Sequence, residues 1–241
     1  SYDSINFFED DLQIKKNVNF ESFKFGVYLD GLILDQMTGE IFYYYYEENK
    51  IELLKNILDK TENITQSVET EFIGNSMNRD EHKLAVLKIK DDIKNGLIFQ
   101  CEVGFKSHYT IKGDTTEIYS KLRKLNPSPH RYYMKFNDQK IIGASPELLF
   151  RLRNGEMETF PLAGTTKRGS NKLEDLKLAR ELLNDTKEIA EHNMLVDLHR
   201  NDLGRVAKFG TVKVRSLMDI KKYSHVQHIS SEIVGIINES E

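Results

Sequence analysis

Four short runs rich in aromatic and β-branched residues follow one another between residues 131 and 160, and only brief turns separate them. The turns include Asn137-Asp138 and Asn154-Gly155. Asn-Gly is a favoured two-residue hairpin turn because both of its residues readily adopt positive φ. The middle of the chain is therefore predicted to be β-structure.

Helix signals lie on both sides of this stretch. Apolar residues recur at helical spacing between residues 79 and 95. Further on, Asn171 with Glu174 has the spacing of an N-terminal cap, and so has Asp185 with Glu188. The second pair either caps a separate helix or lies within one long helix. Helices and strands together predict an α+β protein.

The composition is that of an ordinary globular protein. Of the 241 residues, 39% are hydrophobic and 30% charged, and only 4 are proline, which argues against disorder. No apolar run approaches the roughly 18 residues of a membrane span, so we expect a soluble cytoplasmic protein with no membrane partner. The single cysteine, Cys101, cannot form an internal disulfide, and no cysteine and histidine cluster has zinc spacing.

Charge is distributed unevenly along the chain. Residues 1–80 carry 16 acids and 7 bases (net −9), whereas residues 81–241 carry 22 acids and 27 bases (net +5). A polar stretch at 60–78 is typical of a linker, which predicts a β-rich N-terminal portion over 1–78 and a second domain over 79–241. The basic balance of the second part is too weak for nucleic-acid binding and suits a small anionic ligand.

Three carboxylates are candidates for chemistry. Glu188 and Glu191 are three residues apart, which on a helix puts both on one face, as a hard cation such as Mg²⁺ needs. Spacing alone favours the alternative, a solvated helix face. Glu147 follows a predicted strand and a proline, a place from which it could act as an acid or base. Spacing alone again favours the alternative, an ordinary strand-end turn.

Two segments have the residue types of a binding site. Backbone amides of the turn-rich segment 161–169 could hold an anion, with help from Lys167 or Arg168. Residues 99–105 alternate between apolar and polar, which predicts a strand with Gln100 on its polar face. As a lone glycine-containing loop, the first segment is a weak signal.

Two histidines lie close together near the end of the chain. In a strand over 223–228, alternation would put Tyr223 and His225 on one face and His228 on the other. A single histidine is more often structural than catalytic, and these two need not share a site.

Taken together, these segments resemble the anthranilate synthase large subunits of the chorismate-utilising enzyme family. The resemblance extends from about Gly96 to Gly235 in the family's order and spacing, whereas residues 1–80 match only loosely. The motifs are I-F-Q (Ile98 to Gln100), N-P-S-P (Asn126 to Pro129), G-A-S-P-E-L-L (Gly143 to Leu149), P-L-A-G-T with K-R-G (Pro161 to Gly169), A-E-H-x-M-L-V-D-L-x-R-N-D-L-G-R-V (Ala190 to Val206) and Y-S-H-V-Q-H (Tyr223 to His228).

Two positions indicate which branch of the family the chain resembles. Isochorismate- and salicylate-forming members have, in place of Gln100, a lysine that activates water. The resemblance therefore makes Gln100 a candidate catalytic residue, and the absence of the lysine implies that an amine, not water, is the nucleophile. Aminodeoxychorismate synthases commonly have a nucleophilic lysine in place of Ala163, so Ala163 favours anthranilate as the product. Some of those synthases lack the lysine, which leaves aminodeoxychorismate as the alternative product.

The resemblance also implies a fold and roles for individual residues. The fold would be α+β, with antiparallel sheets sandwiched by helices. Glu191 would hold Mg²⁺, with Glu188 behind it or bound through water. Glu147 would protonate the departing ring hydroxyl, and His225 would assist the elimination of pyruvate. The substrate pocket would be lined by Ala163, Gly164 and Thr165.

By the same resemblance, the substrate is chorismate and the partner is a glutamine amidotransferase subunit, which makes the enzyme a hetero-oligomer. The family's G-A-P-K segment and second magnesium-binding glutamate lie beyond Glu241 in the family's order. We therefore expect an incomplete copy of the fold that is inactive by itself. A non-catalytic subunit that binds a partner or tryptophan is the alternative from another class.

Overall fold

The computed structural model describes residues 5, 20–21, 24–60 and 67–239, and the chain divides into two compact units, Ser1–Thr65 and Gln66–Glu241. Both units combine helices with antiparallel strand pairs, so the predicted α+β class with antiparallel sheets is confirmed. None of the helices in the described ranges is long and apolar enough to cross a membrane.

The first unit contains a β-hairpin followed by a helix. Strands β1 (Asp30–Leu34) and β2 (Ile41–Tyr45) pair antiparallel, and helix α1 (Ile51–Asp59) follows them. In the turn, the Asp35 carboxylate accepts hydrogen bonds from the amides of the second and third residues after it, at 2.8 and 3.3 Å. Gly39 completes the turn with a φ of 76°, which a residue with a side chain rarely adopts.

The second unit contains the remaining strands and helices. Strand β3 pairs with β4, β5 pairs with β6, and β11 is flanked by β10 on one side and by β8 and β9 on the other, with β7 outside β8. The elements are β3 (Glu69–Asn75), α2 (Arg79–Lys94), β4 (Ser107–Lys112), α3 (Thr116–Leu125), β5 (His130–Phe136), β6 (Gln139–Ser145), β7 (Arg151–Arg153), β8 (Glu156–Thr159), β9 (Leu162–Lys167), α4 (Lys172–Leu182), α5 (Thr186–Gly204), β10 (Lys213–Lys222) and β11 (Val226–Ile236).

The core lies between α5 and the five-stranded sheet. Met157 on β8 and Ile233 on β11 are fully buried, and they form one cluster with Val196 and Leu203 of α5. Fully burying a side chain of this size stabilises a fold by about 1.5–3 kcal/mol. Because helix α5 packs on this sheet, its first turn is held at the end of the sheet where β9 pairs with β11.

Side-chain caps set where the helices begin. The Asn171 side chain accepts hydrogen bonds from two amides in the first turn of α4, and Asp185 does the same for α5. Both predicted caps are confirmed, and α4 and α5 are two helices rather than one. Asn78 caps α2 in the same way, and its own amide donates to the Glu81 side chain.

Two of the predictions for the region between residues 60 and 112 are wrong. The polar stretch 60–78 contains strand β3, because Glu69–Asn75 finds an antiparallel partner in β4. Residues 99–105 form no strand, although they alternate, because no strand within the described ranges pairs with them. A strand needs a partner for its backbone amides and carbonyls, and the alternation of side chains does not supply one. The division at residue 78 stays a prediction.

Candidate active site

Glu147 lies just beyond the end of β6, where the sequence predicted it. Ser145 Oγ accepts a hydrogen bond from the Glu147 amide at 3.2 Å and donates one to the Glu147 carbonyl at 3.1 Å, which fixes the turn after the strand. The Leu162 amide, at the start of β9, donates to Glu147 Oε1 at 3.3 Å. The carboxylate is therefore held beside the first residue of β9.

The surroundings of Glu147 favour its protonated form. Partial burial of the carboxyl raises its pKa above the usual value, and the negative charge of Glu102 raises it further. The Leu162 amide and His228 act in the opposite direction but do not cancel the rise. A carboxyl that keeps its proton to higher pH is suited to act as a general acid near neutrality.

The segment 161–169 is largely a strand, so the predicted turn-rich anion loop is wrong there. Residues Leu162–Lys167 form β9, and their backbone groups pair with β11. The register shifts between Ala163 and Thr165, so that Gly164 has no partner residue on β11. The strand therefore carries a β-bulge at Gly164.

Gly164 allows a close approach that a side chain at this position would crowd. Its φ is 73°, and a Cβ atom added to it would lie 3.0 Å from Ile229 Cδ1 and 3.3 Å from Glu188 Oε2. The Glu188 carboxylate is therefore packed against the backbone of the bulge. This places a negative charge from the first turn of α5 next to the strand that Glu147 touches.

His228 is the histidine that the structure places at the bulge. Its Nδ1 lies 2.9 Å from Thr165 Oγ1 and 3.2 Å from the Gly164 carbonyl oxygen. Because a carbonyl oxygen can only accept, this contact favours the tautomer with the proton on Nδ1 and leaves Nε2 free to accept a proton. We call Glu147, Gly164, Thr165, Glu188 and His228 the bulge cluster.

The alternation predicted for 223–228 does not hold. Strand β11 begins only at Val226, so Tyr223 and His225 lie in the turn that precedes it. The rings of Tyr223 and His228, predicted on opposite faces, meet edge to face with centroids 5.5 Å apart. His228 was missed as a site residue because only its cross-strand pairing with Thr165, 63 positions away, brings it to the bulge.

The other residues predicted for the site are placed differently. Ala163 is 8% exposed and lies next to Gly164 in the bulged strand, and its role in substrate binding stays a prediction. His225 is exposed, and its Nδ1 lies 2.8 Å from Ser224 Oγ. Gln100 is exposed in the irregular segment after α2. In the part of the chain that the structure describes, no hydrogen bond joins His225 or Gln100 to the bulge cluster.

Glu188 and Glu191 have the donor chemistry that Mg²⁺ requires. Both lie on α5 at a spacing that puts them on one face, and Glu188 is partly buried whereas Glu191 is exposed. Within the described ranges, no group of three or more His, Cys, Asp or Glu side chains converges as a metal site. Two carboxylates nevertheless fit this ion, because Mg²⁺ usually keeps several waters and takes only one or two protein carboxylates.

Comparisons with known proteins agree on one family. The chain matches the family model for chorismate binding enzymes over residues 1–241. It is 52% identical over 243 residues to anthranilate synthase component 1 of Leptospira biflexa, covering 100% of this chain and 53% of that protein. The same component of Methanothermobacter thermautotrophicus is 41% identical over 235 residues, covering 98% of this chain and 50% of that protein.

A solved structure supports the same conclusion about the fold. Anthranilate synthase component I from Streptococcus pneumoniae matches with a TM-score of 0.76 at 28% sequence identity, covering 100% of this chain and 56% of that one. The chain thus spans about half the length of the relatives it matches.

The close approach at the bulge predicts that Gly164→Ala is more destabilising than Gly210→Ala. Both glycines have positive φ, at 73° and 77°, but a Cβ atom at Gly210 would meet nothing within 4 Å. Both variants therefore lose stability through the backbone, by about 1–2 kcal/mol. Gly164→Ala should lose about 1–3 kcal/mol more through overpacking, measured by chemical denaturation. Equal losses in the two variants would contradict the packing of Glu188 and Ile229 against the bulge.

Proposed function

Because the chain belongs to the chorismate binding enzymes, we propose that it contributes to the active site of an anthranilate synthase large subunit. That enzyme converts chorismate and ammonia to anthranilate and pyruvate. The observation that carries the proposal is the proximity of an acid of raised pKa, Glu147, to His228, which pairs with Thr165 at the β9 bulge. Relatives named anthranilate synthase component 1 favour this product over aminodeoxychorismate.

Glu147 is assigned the role of general acid. Replacement of the ring hydroxyl of chorismate by ammonia requires a proton for the departing oxygen. The raised pKa of Glu147 keeps a larger fraction of this carboxyl protonated near neutral pH than a fully solvated glutamate would have. The Leu162 amide orients the carboxyl toward β9.

We assign the elimination step to His228 rather than to His225. Formation of the aromatic ring requires loss of a ring proton as the enolpyruvyl C–O bond breaks. Nε2 of His228 is free to accept that proton, because Nδ1 is engaged by the Gly164 carbonyl and Thr165. His225 lies in the turn before β11, and within the described residues no hydrogen bond joins it to the bulge cluster.

The small residues of β9 are assigned to substrate binding. Ala163, Gly164 and Thr165 lie between Glu147 and His228 along the strand, and the first two are buried. They provide no side-chain nucleophile that could capture the ring covalently. Gln100 carries no base that could activate water, and together these features favour direct attack by ammonia.

The magnesium site is assigned to α5. Glu191 would hold Mg²⁺ directly and Glu188 would support it from the bulge. When bound, the ion would neutralise a carboxylate of the substrate ring. The cap at Asp185 fixes the first turn of α5 and thereby the direction of both glutamates.

The wider assembly follows from the same proposal. We expect a glutamine amidotransferase subunit to supply ammonia, so that the complete enzyme is a cytoplasmic hetero-oligomer. The 241 residues by themselves are expected to be inactive, because they span about half the length of their relatives. A non-catalytic binding subunit is the rival function, and the first experiment separates the two.

The product assay tests the function. The full-length polypeptide, given chorismate, Mg²⁺ and ammonium at a pH that provides free ammonia, should release anthranilate, which is followed by its fluorescence. Release of aminodeoxychorismate in place of anthranilate would show that Ala163 does not determine the product. Release of isochorismate would show the same for Gln100. Tight chorismate binding without any product would favour the non-catalytic rival.

If Glu147 is the general acid, substitutions of Glu147 and of Glu102 should have different effects on turnover. Glu147→Gln should bind chorismate but lose about two to four orders of magnitude in kcat, because the amide has no proton of useful acidity. Glu102→Gln removes a charge that raises the pKa of Glu147, so its pKa should fall. Since the acid must be protonated, the alkaline limb of the kcat profile should then move to lower pH. Near-normal turnover by Glu147→Gln would assign the acid elsewhere.

The metal assignment predicts that Glu191 matters more than Glu188. Glu191→Gln keeps the shape of the side chain but removes a charge at the ion, so turnover should collapse at any practical Mg²⁺ concentration. Glu188→Gln, the matched variant one turn earlier, should be rescued in part by raising Mg²⁺. Activity is measured over a Mg²⁺ titration, and wild-type behaviour of Glu191→Gln would contradict the assignment.

A further inference from the structure

Asp175 is a buried carboxylate on α4 that the proposed chemistry does not use. It is 5% exposed, and its oxygens accept hydrogen bonds from four nitrogen atoms. Oδ1 accepts from Arg168 Nε at 2.9 Å and from the Gly169 amide at 2.8 Å. Oδ2 accepts from Arg168 Nη2 at 2.8 Å and from Lys222 Nζ at 3.1 Å. These partners hold the pKa of Asp175 well below its usual range, so the carboxylate is charged at neutral pH.

The same ion pair reaches the turn that precedes β11. Arg168 Nη1 donates to the Tyr223 carbonyl, and the Arg168 amide donates to the His225 carbonyl at 3.3 Å. On the other side, Gln227 is fully buried, and its Nε2 donates to the Asp175 carbonyl at 3.1 Å. The residues immediately before His228 are thus bonded to Arg168 and to the backbone of Asp175.

Tyr223 carries this connection to the bulge cluster. Its hydroxyl donates to the Pro146 carbonyl at 3.3 Å, directly before Glu147. Its ring packs edge to face on His228, with centroids 5.5 Å apart. Tyr223 therefore contacts both sides of the site, and Arg168 holds its backbone.

We propose that Asp175 and Arg168 are positioning residues that hold Tyr223 and His228 in place opposite Glu147. The hydrogen bonds that define this geometry do not depend on the reaction, whereas their catalytic consequence rests on the proposed function. The planar guanidinium contacts Asp175 through two nitrogens and Tyr223 through the third. A lysine cannot reproduce that fork. Removing the Asp175 charge would leave the Arg168 guanidinium without its ionic partner, so it would hold the Tyr223 carbonyl less firmly.

The kinetic test uses Asp175→Asn and Arg168→Lys in the full-length polypeptide. We expect kcat for anthranilate formation to fall about ten- to hundredfold, because small displacements of catalytic groups have effects of this size. The KM for chorismate should change by less than about threefold. In a His228→Gln background, both substitutions should reduce kcat by a smaller factor than in the wild type, because part of their effect acts through His228. Equal fold-losses in the two backgrounds would indicate a general structural role and overturn the proposal.

A second measurement does not depend on the reaction. Long-range ¹H–¹⁵N spectra of the histidine rings, with His228 assigned by its loss in His228→Gln, report which ring nitrogen carries the proton. The wild type should show the proton on Nδ1, and both variants should show a mixture of tautomers once His228 leaves the Gly164 carbonyl. An unchanged His228 signal in both folded variants would overturn the proposal even if no anthranilate were formed.

Arg215→Gln is the matched control. Arg215 is also an arginine in an ion-pair group, on β8, β10 and β11, with Glu156, Glu158 and Glu232 as partners. Among the described residues, no hydrogen bond or ion pair joins it to the bulge cluster. The Arg215→Gln substitution should leave kcat and the His228 tautomer unchanged while lowering the melting temperature. The same tautomer change in Arg215→Gln would overturn the proposal. If Asp175→Asn fails to fold, Arg168→Lys, which keeps the charge, decides the question alone.

Discussion

The pairing of β11 with three other strands is the constraint on which the second unit depends. Its first half pairs with β9 and its second half with β8, while β10 runs along the whole of its other edge. The side chains of β11 are almost all buried or half-buried, and Ile229 and Ile233 are fully buried. Because one strand both fills the core and carries His228, the position of the candidate site is coupled to the packing of the core.

Helix α5 has the same double role. Val196 and Leu203 pack into the core on one side of the helix, and its first turn presents Glu188 to the bulge. Between them, His192 is fully buried, and its Nε2 lies 2.7 Å from Ser231 Oγ on β11. Burial lowers the pKa of His192, so the imidazole is neutral near pH 7 and needs no compensating charge in the core. The helix is thereby joined to the strand that carries the candidate site.

Glu147 and Asp175 have opposite electrostatic environments. At the bulge, Glu147 has few compensating groups, and burial raises its pKa. Behind it, Asp175 is surrounded by four donors that keep it charged. The first arrangement is suited to proton transfer and the second to holding a backbone turn in place, which is why we assign them different roles.

Local sequence signals determined a large part of this architecture. The caps at Asn171 and Asp185, the hairpin turns around Asn137 and Asn154, and the one-face spacing of Glu188 and Glu191 depend on residues within a few positions of each other. Such signals act in the unfolded chain as well, so they are readable without a structure. The family motifs predicted the fold and the family for the same reason, because each motif is a contiguous segment and the segments follow one another in a set order.

Only the tertiary structure decided the register of β9 on β11 and the contacts that follow from it. The bulge at Gly164, the pairing of Thr165 with His228 and the approach of Glu188 join residues that are far apart in the sequence. Alternation predicted a strand at 99–105 and opposite faces for Tyr223 and His228, and both predictions failed because a strand forms only where a partner accepts its backbone hydrogen bonds. The alternation of side chains describes one segment of the chain, whereas a β-sheet requires backbone hydrogen bonds between at least two segments.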